Sequence, residues 1–268
     1  MKNPYIELHK EFRNAGAKVL ISSGQACVLY GIAAFSKDGD WIIDESAESC
    51  GAVLKVLSIK NASYRLGAPL DPIWLKKGLT SHFEYEENGI RIRTDFCSRP
   101  PRISDINQLW SRAVSKKSIE IIDVYDLIRV KQTRLLRDYA IIGALAEAIG
   151  LNGSVPELAI EYLQDYMLLC KSIERWPDAA ARSSRPAVQL ILCHASRQEI
   201  VNALAQEQDT LISADQARIG TMLTASSRYQ EKFMEVSKGW KQGGANLYQQ
   251  HSDLLNAARE FQDIPDHD

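Results

Sequence analysis

Apolar and polar positions change period roughly half-way along the chain. In the first half, short apolar runs alternate with amphipathic stretches. Lys18-Val19-Leu20-Ile21-Ser22, Trp41-Ile42-Ile43 and Ile119-Glu120-Ile121-Ile122 predict short strands. Gln25 to Phe35, Ser46 to Leu57, Val124 to Val130 and Thr133 to Ile149 predict helices; in the second of these Cys50, Val53, Leu54 and Leu57 fall on one stripe. Residues 81–86 and 90–96 alternate strictly around Asn88-Gly89, the dipeptide that suits a two-residue hairpin turn because both positions need positive φ. That turn fixes a register: Glu86 opposite Arg91, Tyr85 opposite Ile92, Glu84 opposite Arg93 and His82 opposite Asp95. One face of the hairpin is then apolar (Phe83, Tyr85, Ile92) and the other carries charge.

The second half has helical period only. Ser154 with Glu157, Ser196 with Glu199, and Ser213 with Gln216 have the spacing of capping boxes and predict three helix starts. A further helix fits residues 245–261, and the last six residues are expected to fray. Leu151-Asn152-Gly153-Ser154-Val155-Pro156 is the best punctuation between the halves. The expected fold class is therefore α+β: a small mixed sheet with helices over residues 1–150, then an all-α domain over residues 151–268.

Charge sharpens this division. The whole chain has a net charge of −2, which excludes a uniformly basic nucleic-acid-coating protein, while residues 1–150 carry +3 and residues 151–268 carry −5. No apolar run approaches the roughly 20 residues of a bilayer span, so no membrane partner is expected. The first residues lack a signal-peptide apolar core. Five cysteines, odd in number and without a C-x-x-C pair, read as reduced thiols of a cytoplasmic protein.

Three features of the first half belong to one chemistry. Ser22-Ser23-Gly24 stands between a predicted strand and helix, where small residues let backbone N–H groups approach a phosphate. Asp38-Gly39-Asp40 precedes the next strand, and aspartates at i and i+2 of an extended segment point to one side. Asp95 lies on the second hairpin strand. Hard carboxylate oxygens suit Mg²⁺ or Mn²⁺, and Mg²⁺ takes one or two carboxylates beside water and substrate phosphates. A third carboxylate allows a second metal. His82 either orients Asp95 or simply pairs across the hairpin. Arg99, Arg102, Arg112, Lys116 and Lys117 form either a lip for a polyanionic acceptor or a solvated loop.

The joint order of strand, small-residue turn, helix, Asp-x-Asp and later Asp resembles the polymerase-beta-type nucleotidyltransferases, closest to the AbiEii-like bacterial group. Ile21-Ser22-Ser23-Gly24-Gln25-Ala26, Tyr30-Gly31 and Ser36-Lys37-Asp38-Gly39-Asp40 carry the likeness. So does Lys131-Gln132-Thr133-Arg134-Leu135-Leu136-Arg137-Asp138 after Val124-Tyr125-Asp126-Leu127-Ile128. Ser23 stands where relatives carry glycine, and Ala34-Phe35 where they often carry a basic residue. The resemblance implies that Asp38 and Asp40 hold the triphosphate-gripping metal, that Asp95 completes a second metal site and helps deprotonate an acceptor hydroxyl, and that Ser23 and Gly24 cradle phosphates. Lys37 and Lys131 are the expected nucleotide contacts. It further implies Mg²⁺-dependent transfer of a nucleoside monophosphate from a nucleoside triphosphate to RNA, protein or a small molecule. A toxin or phage-defence setting with a cognate antitoxin or partner protein is expected by analogy. The competing expectation is a non-catalytic scaffold that binds a protein through its helical half.

Overall fold

The computed structural model describes residues 3–261, leaving aside the side chains of residues 241 and 242. The last six residues, expected to fray, lie outside the described residues. The chain divides into two compact units, one of residues 1–123 with 221–268 and one of residues 124–220. The boundary expected near residue 150 falls inside the second of these, and the final stretch of chain belongs to the first. The class is α+β: one seven-stranded mixed sheet in the first part of the chain, and helices alone after it.

In the first unit, helix α1 (Pro4–Asn14) starts with proline at its first turn and with Asn3 accepting a hydrogen bond from the Tyr5 N–H. Strand β1 (Val19–Ser22), helix α2 (Ser23–Leu29) and strand β2 (Gly39–Ile43) follow. The helix expected to reach Phe35 stops at Leu29; the chain turns at Tyr30-Gly31, where the Ile32 N–H reaches back to the Cys27 carbonyl, and leaves Phe35 exposed. Helix α3 (Ala47–Ile59) is capped by Ser46 and buries the expected stripe. Strand β3 (Ser63–Gly67) and helix α4 (Pro72–Lys76) lead to the hairpin β4 (Ser81–Glu87) and β5 (Ile90–Cys97). Helix α5 (Ile106–Arg112) and strands β6 (Val114–Lys116) and β7 (Ile119–Ile121) complete this part.

The sheet order is β3-β4-β5-β2-β1-β7-β6. The β2–β5 and β1–β7 pairs are parallel and the rest antiparallel. The hairpin register is the one the Asn88-Gly89 turn predicts, from Glu86–Arg91 to His82–Asp95. Its apolar face is buried: Phe83 and Ile92 are each at most 2% exposed, because Phe83 packs edge-on against Phe96. Phe12 of α1 presses on Trp41 and Phe96, which stack on each other from adjacent strands.

The second unit runs through α6 (Val124–Lys131), α7 (Leu136–Leu145), a π-helical stretch (Ala146–Leu151), α8 (Pro156–Tyr162), α9 (Tyr166–Arg175), α10 (Pro177–Arg182) and α11 (Pro186–Leu192). Ala159, Leu169, Val188 and Ile200 sit in its core. Helix α12 (Arg197–Gly243) begins in this unit and ends in the first, and α13 (Leu247–Ala258) follows.

Of the three expected capping boxes, one forms. Ser196 and Glu199 exchange bonds as the motif requires, Ser196 N–H to the Glu199 carboxylate at 2.8 Å and Glu199 N–H to Ser196 Oγ at 3.3 Å. Ser154 is instead in a left-handed conformation (φ 59°) and its hydroxyl accepts from Arg175, while Val155 precedes Pro156 at the helix start. Ser213 and Gln216 lie inside α12, where every N–H already has an intrahelical acceptor and no donor is left to cap.

Candidate functional site

The alternation of the strands sorts the sheet into rows. Register places Ser22 beside Asp40, Asp40 beside Asp95, Asp95 beside His82 and His82 beside Leu66, one lateral row across five strands. Residues directly paired in a sheet share a face. The next row contains Ile21, Trp41, Phe96 and Ser81, all buried on the face that α1 covers. Asp40 and Asp95 are thus neighbours on the opposite face.

Asp38 stands two residues ahead of Asp40, and its Oδ1 lies 3.9 Å from Nη1 of Arg93, itself two residues ahead of Asp95. That Oδ1 is buried and has no hydrogen-bond partner. The backbone around it is held tightly. Gln25 Nε2 donates to the carbonyls of Ser36 (3.1 Å) and Asp38 (3.4 Å), and Asn3 donates to Gln25 Oε1 at 2.9 Å. The Tyr5 hydroxyl donates to the Lys37 carbonyl. Burial raises the Tyr5 pKa, and the charges of Asp38 and Asp40 add to the effect, so both carboxylates act on one hydroxyl. Likewise burial lifts the Cys97 thiol to about 12, with Asp40 and Asp95 adding.

Two glycines are required by close approach. A Cβ on Gly24 would fall 2.2 Å from Ser36 Oγ, so the Ser23–Gly24 turn and the Ser36–Asp38 loop touch. A Cβ on Gly39 would fall 2.4 Å from the Trp41 ring and 2.5 Å from Tyr5 Cδ1. Ser23 takes φ 46°, so the position that carries glycine in the resembled group keeps a left-handed backbone here despite its side chain.

No family model matches the chain, and no curated protein sequence does. Among solved structures, a candidate nucleotidyltransferase from H. pylori aligns at 12% identity and a TM-score of 0.40, covering 81% of this chain and 98% of that one. JHP933 from Helicobacter pylori aligns at 13% and 0.39, covering 82% and 94%. Similarity at this level carries no argument about chemistry.

Asp95 is engaged by two cationic side chains. Arg65 Nη2 reaches its two oxygens at 3.1 and 3.4 Å, and His82 Nδ1 lies 2.8 Å from Oδ1 without the alignment of a hydrogen bond. His82 Nε2 in turn meets Thr80 Oγ1 at 2.7 Å. The histidine therefore bridges Asp95 and Thr80 as well as pairing across the hairpin. Among the described residues, no three Asp, Glu, His or Cys side chains gather as an all-protein metal site would. Asp38 and Asp40 nevertheless suit Mg²⁺, which needs only one or two carboxylates when phosphates complete its shell. Asp38 Oδ1, which accepts no hydrogen bond and has only the 3.9 Å ion pair with Arg93, is the donor that fits. Asp95, shared by a guanidinium and an imidazole, does not fit a second metal as it stands.

Lys37 is exposed on the loop beside Asp38. Lys131, in the second unit, is buried with Nζ 3.1 Å from Asp138 Oδ1, and Thr133 Oγ1 donates to the other Asp138 oxygen at 2.6 Å. Its charge is neutralised inside that unit. Arg137, the sequence neighbour of Asp138, is exposed instead. In the basic run, Arg99 is committed to Glu45 at 2.8 Å and Lys116 lies over the Tyr30 ring at 4.2 Å. Arg65 escaped the sequence reading because β3 is five residues long with an interrupted register, although Tyr64-Arg65-Leu66 carries a weak alternation.

Proposed function

We propose that this chain is a metal-dependent nucleotidyltransferase whose working face is the row containing Asp40 and Asp95. The observation that carries this reading is the placement of those two aspartates as direct neighbours on one face, with Asp38 two residues ahead and the Ser23–Gly24 turn against the same loop. Asp38 and Asp40 would hold Mg²⁺ or Mn²⁺, which would supply charge to neutralise triphosphate oxygens and departing pyrophosphate. Ser23 and Gly24 offer backbone N–H groups to the phosphates, and Lys37 supplies a mobile positive charge beside them. Asp95 helps deprotonate the acceptor hydroxyl by acting through His82, which faces it. A toxin or phage-defence role with a partner protein is the biological setting the resemblance favours.

The test is thermal stabilisation by each nucleoside triphosphate with and without Mg²⁺, followed by transfer of α-labelled triphosphate to lysate RNA and protein. The proposal expects Mg²⁺-dependent stabilisation that disappears in Asp38→Ala and Asp40→Ala. The absence of any such shift in the wild-type protein would refute it. That outcome would favour the scaffold reading, for which the Arg65 clamp on Asp95 is the specific support.

A further inference from the structure

Beyond His82 the same face opens into a cavity of about 340 Å³ within the first unit. Its floor is the β3–β4 edge (Leu66, Gly67, Thr80, His82), and its wall is the C-terminal part of α12. Leu66, Leu223 and Met234 are 42%, 46% and 58% exposed at the cavity, whereas Tyr229 and Phe233 are buried beneath them.

The hydroxyls and one amide nitrogen on the helical wall donate within the protein. Tyr229 donates its hydroxyl to the Gly67 carbonyl at 3.1 Å, Ser226 to the Met222 carbonyl at 2.8 Å, and Gln230 Nε2 to Ser226 Oγ at 2.9 Å. Among the described residues the lining has no Lys, Arg, Asp or Glu, and its one titratable side chain with a role in the row is His82. A site of this volume with apolar walls and one polar end suits a small organic ligand. It does not suit a phosphate backbone, which needs cationic partners.

We infer that this cavity is the acceptor pocket, and that the acceptor is a small uncharged molecule with an apolar, ring-sized body and one hydroxyl directed at His82. The inference rests on the transferase reading above, and its geometry follows from the order along the row. The phosphate turn lies at one end, Asp40 and Asp95 in the middle, and His82 with the cavity at the other end. In the step, the acceptor oxygen forms a bond to the α-phosphorus as the bond from that phosphorus to the bridging oxygen breaks. Pyrophosphate leaves with the electron pair. The hydroxyl proton passes to Nε2 of a His82 ring protonated at Nδ1, with the acceptor hydroxyl taking the place of Thr80 Oγ1 at Nε2; Asp95, 2.8 Å from Nδ1, offsets the charge that forms, and the proton leaves from there to solvent.

The probe is 1-naphthol, an uncharged aromatic alcohol, titrated by its fluorescence against the full chain, with 1-naphthyl phosphate as the charged counterpart. Saturable naphthol binding is expected, at least tenfold weakened in both Leu223→Trp and Leu66→Trp, with the phosphate ester bound at least tenfold more weakly than naphthol. Both leucines are partly exposed, so the larger ring fills the cavity without entering the core. Asp38→Ala is expected to abolish Mg²⁺–triphosphate stabilisation while leaving naphthol affinity within twofold, which separates the pocket from the nucleotide site. Label from α-labelled triphosphate should then appear on naphthol, and His82→Gln should remove it while naphthol still binds. Undiminished binding in both tryptophan variants, no saturable binding to the wild type, or equal affinity for the phosphate ester overturns the inference. Naphthol binding without any triphosphate response overturns the transferase reading and, with it, the role of the cavity as an acceptor site.

Discussion

The glycine between the two aspartates is the most exposed point of the design to a small change. Replacing Gly39 by alanine adds one methyl group. The ring of Trp41 stands 2.4 Å from where its Cβ would lie, and Tyr5 Cδ1 stands 2.5 Å away. Neither can yield easily: Trp41 is 1% exposed, stacked on Phe96 and met edge-on by Phe12, and Tyr5 is 5% exposed with its hydroxyl tied to the Lys37 carbonyl. Overpacking of this kind costs about 1–3 kcal/mol. The counterpart is Gly51, an exposed interior position of α3 with nothing within 4 Å of its Cβ. Gly51→Ala should stabilise by up to about 1 kcal/mol, because alanine is the better helix former. Urea melts of both variants with unchanged slopes measure the difference directly. Because the clash lies between Asp38 and Asp40, Gly39→Ala should also weaken Mg²⁺-dependent triphosphate stabilisation, and Gly51→Ala should not. A Gly39→Ala protein as stable as wild type would refute the packing argument.

Three further outcomes follow from particular contacts. Burial holds His9 and His251 below the ordinary histidine value of 6.5, with Glu120 and Asp71 respectively opposing it only in part. The unfolded chain therefore takes up protons first as pH falls below 6.5, and unfolding free energies from urea melts at pH 7.5, 6.5 and 5.5 should decline with a slope of at most about 2.7 kcal/mol per pH unit for two groups; a flat profile would contradict this. Glu207 accepts from Arg185 Nε and from the Ala187 N–H, each at 2.8 Å, so Glu207→Ala strands a buried guanidinium and should cost about 3–5 kcal/mol in the same melts. Asp95→Asn should leave the Mg²⁺–triphosphate thermal shift in place while lowering label transfer by about 100-fold or more, and equal losses in both would remove the part in deprotonation assigned to Asp95.

What could be read from the sequence divides along a physical line. The hairpin was legible to the residue because a two-residue turn leaves one register, and Asn88 and Gly89 adopt the positive φ it demands, 52° and 74°. The α3 stripe was legible because three helical turns carry one period. The resemblance brought Asp40 and Asp95 to one site, but their direct pairing was not legible, since a parallel pair has no turn to fix it and depends on contacts between distant segments. The engagement of Asp95 by Arg65 was hidden for the same reason. Helical period in the second half gave faces without addresses: nothing in the stripe of α12 signals that residues from 221 onward belong with the sheet rather than with the helices before them. Lys131 illustrates the remaining gap. Its spacing from Asp138 was visible, but the burial that turns the two into a closed pair comes from the core around them.

The chemistry and the packing of the sheet are locked together by a single residue step. Asp40 and Trp41 are consecutive on β2, as Asp95 and Phe96 are on β5, and each pair divides between the two faces. A slip of one residue in this parallel pair would put an aspartate under Phe12 and a tryptophan on the polar face, so burial of the aromatic stack excludes it. The stack thereby does for β2 and β5 what a tight turn does for a hairpin. It holds the two carboxylates side by side without any bond between them, against their mutual repulsion. The cost of that repulsion falls where cations stand nearby: Arg65 and His82 at Asp95, Arg93 at Asp38. On the transferase proposal, a divalent cation held by Asp38 and Asp40 would supply positive charge on the same side of Asp40, so the register set by the aromatic stack is also the register that proposal needs.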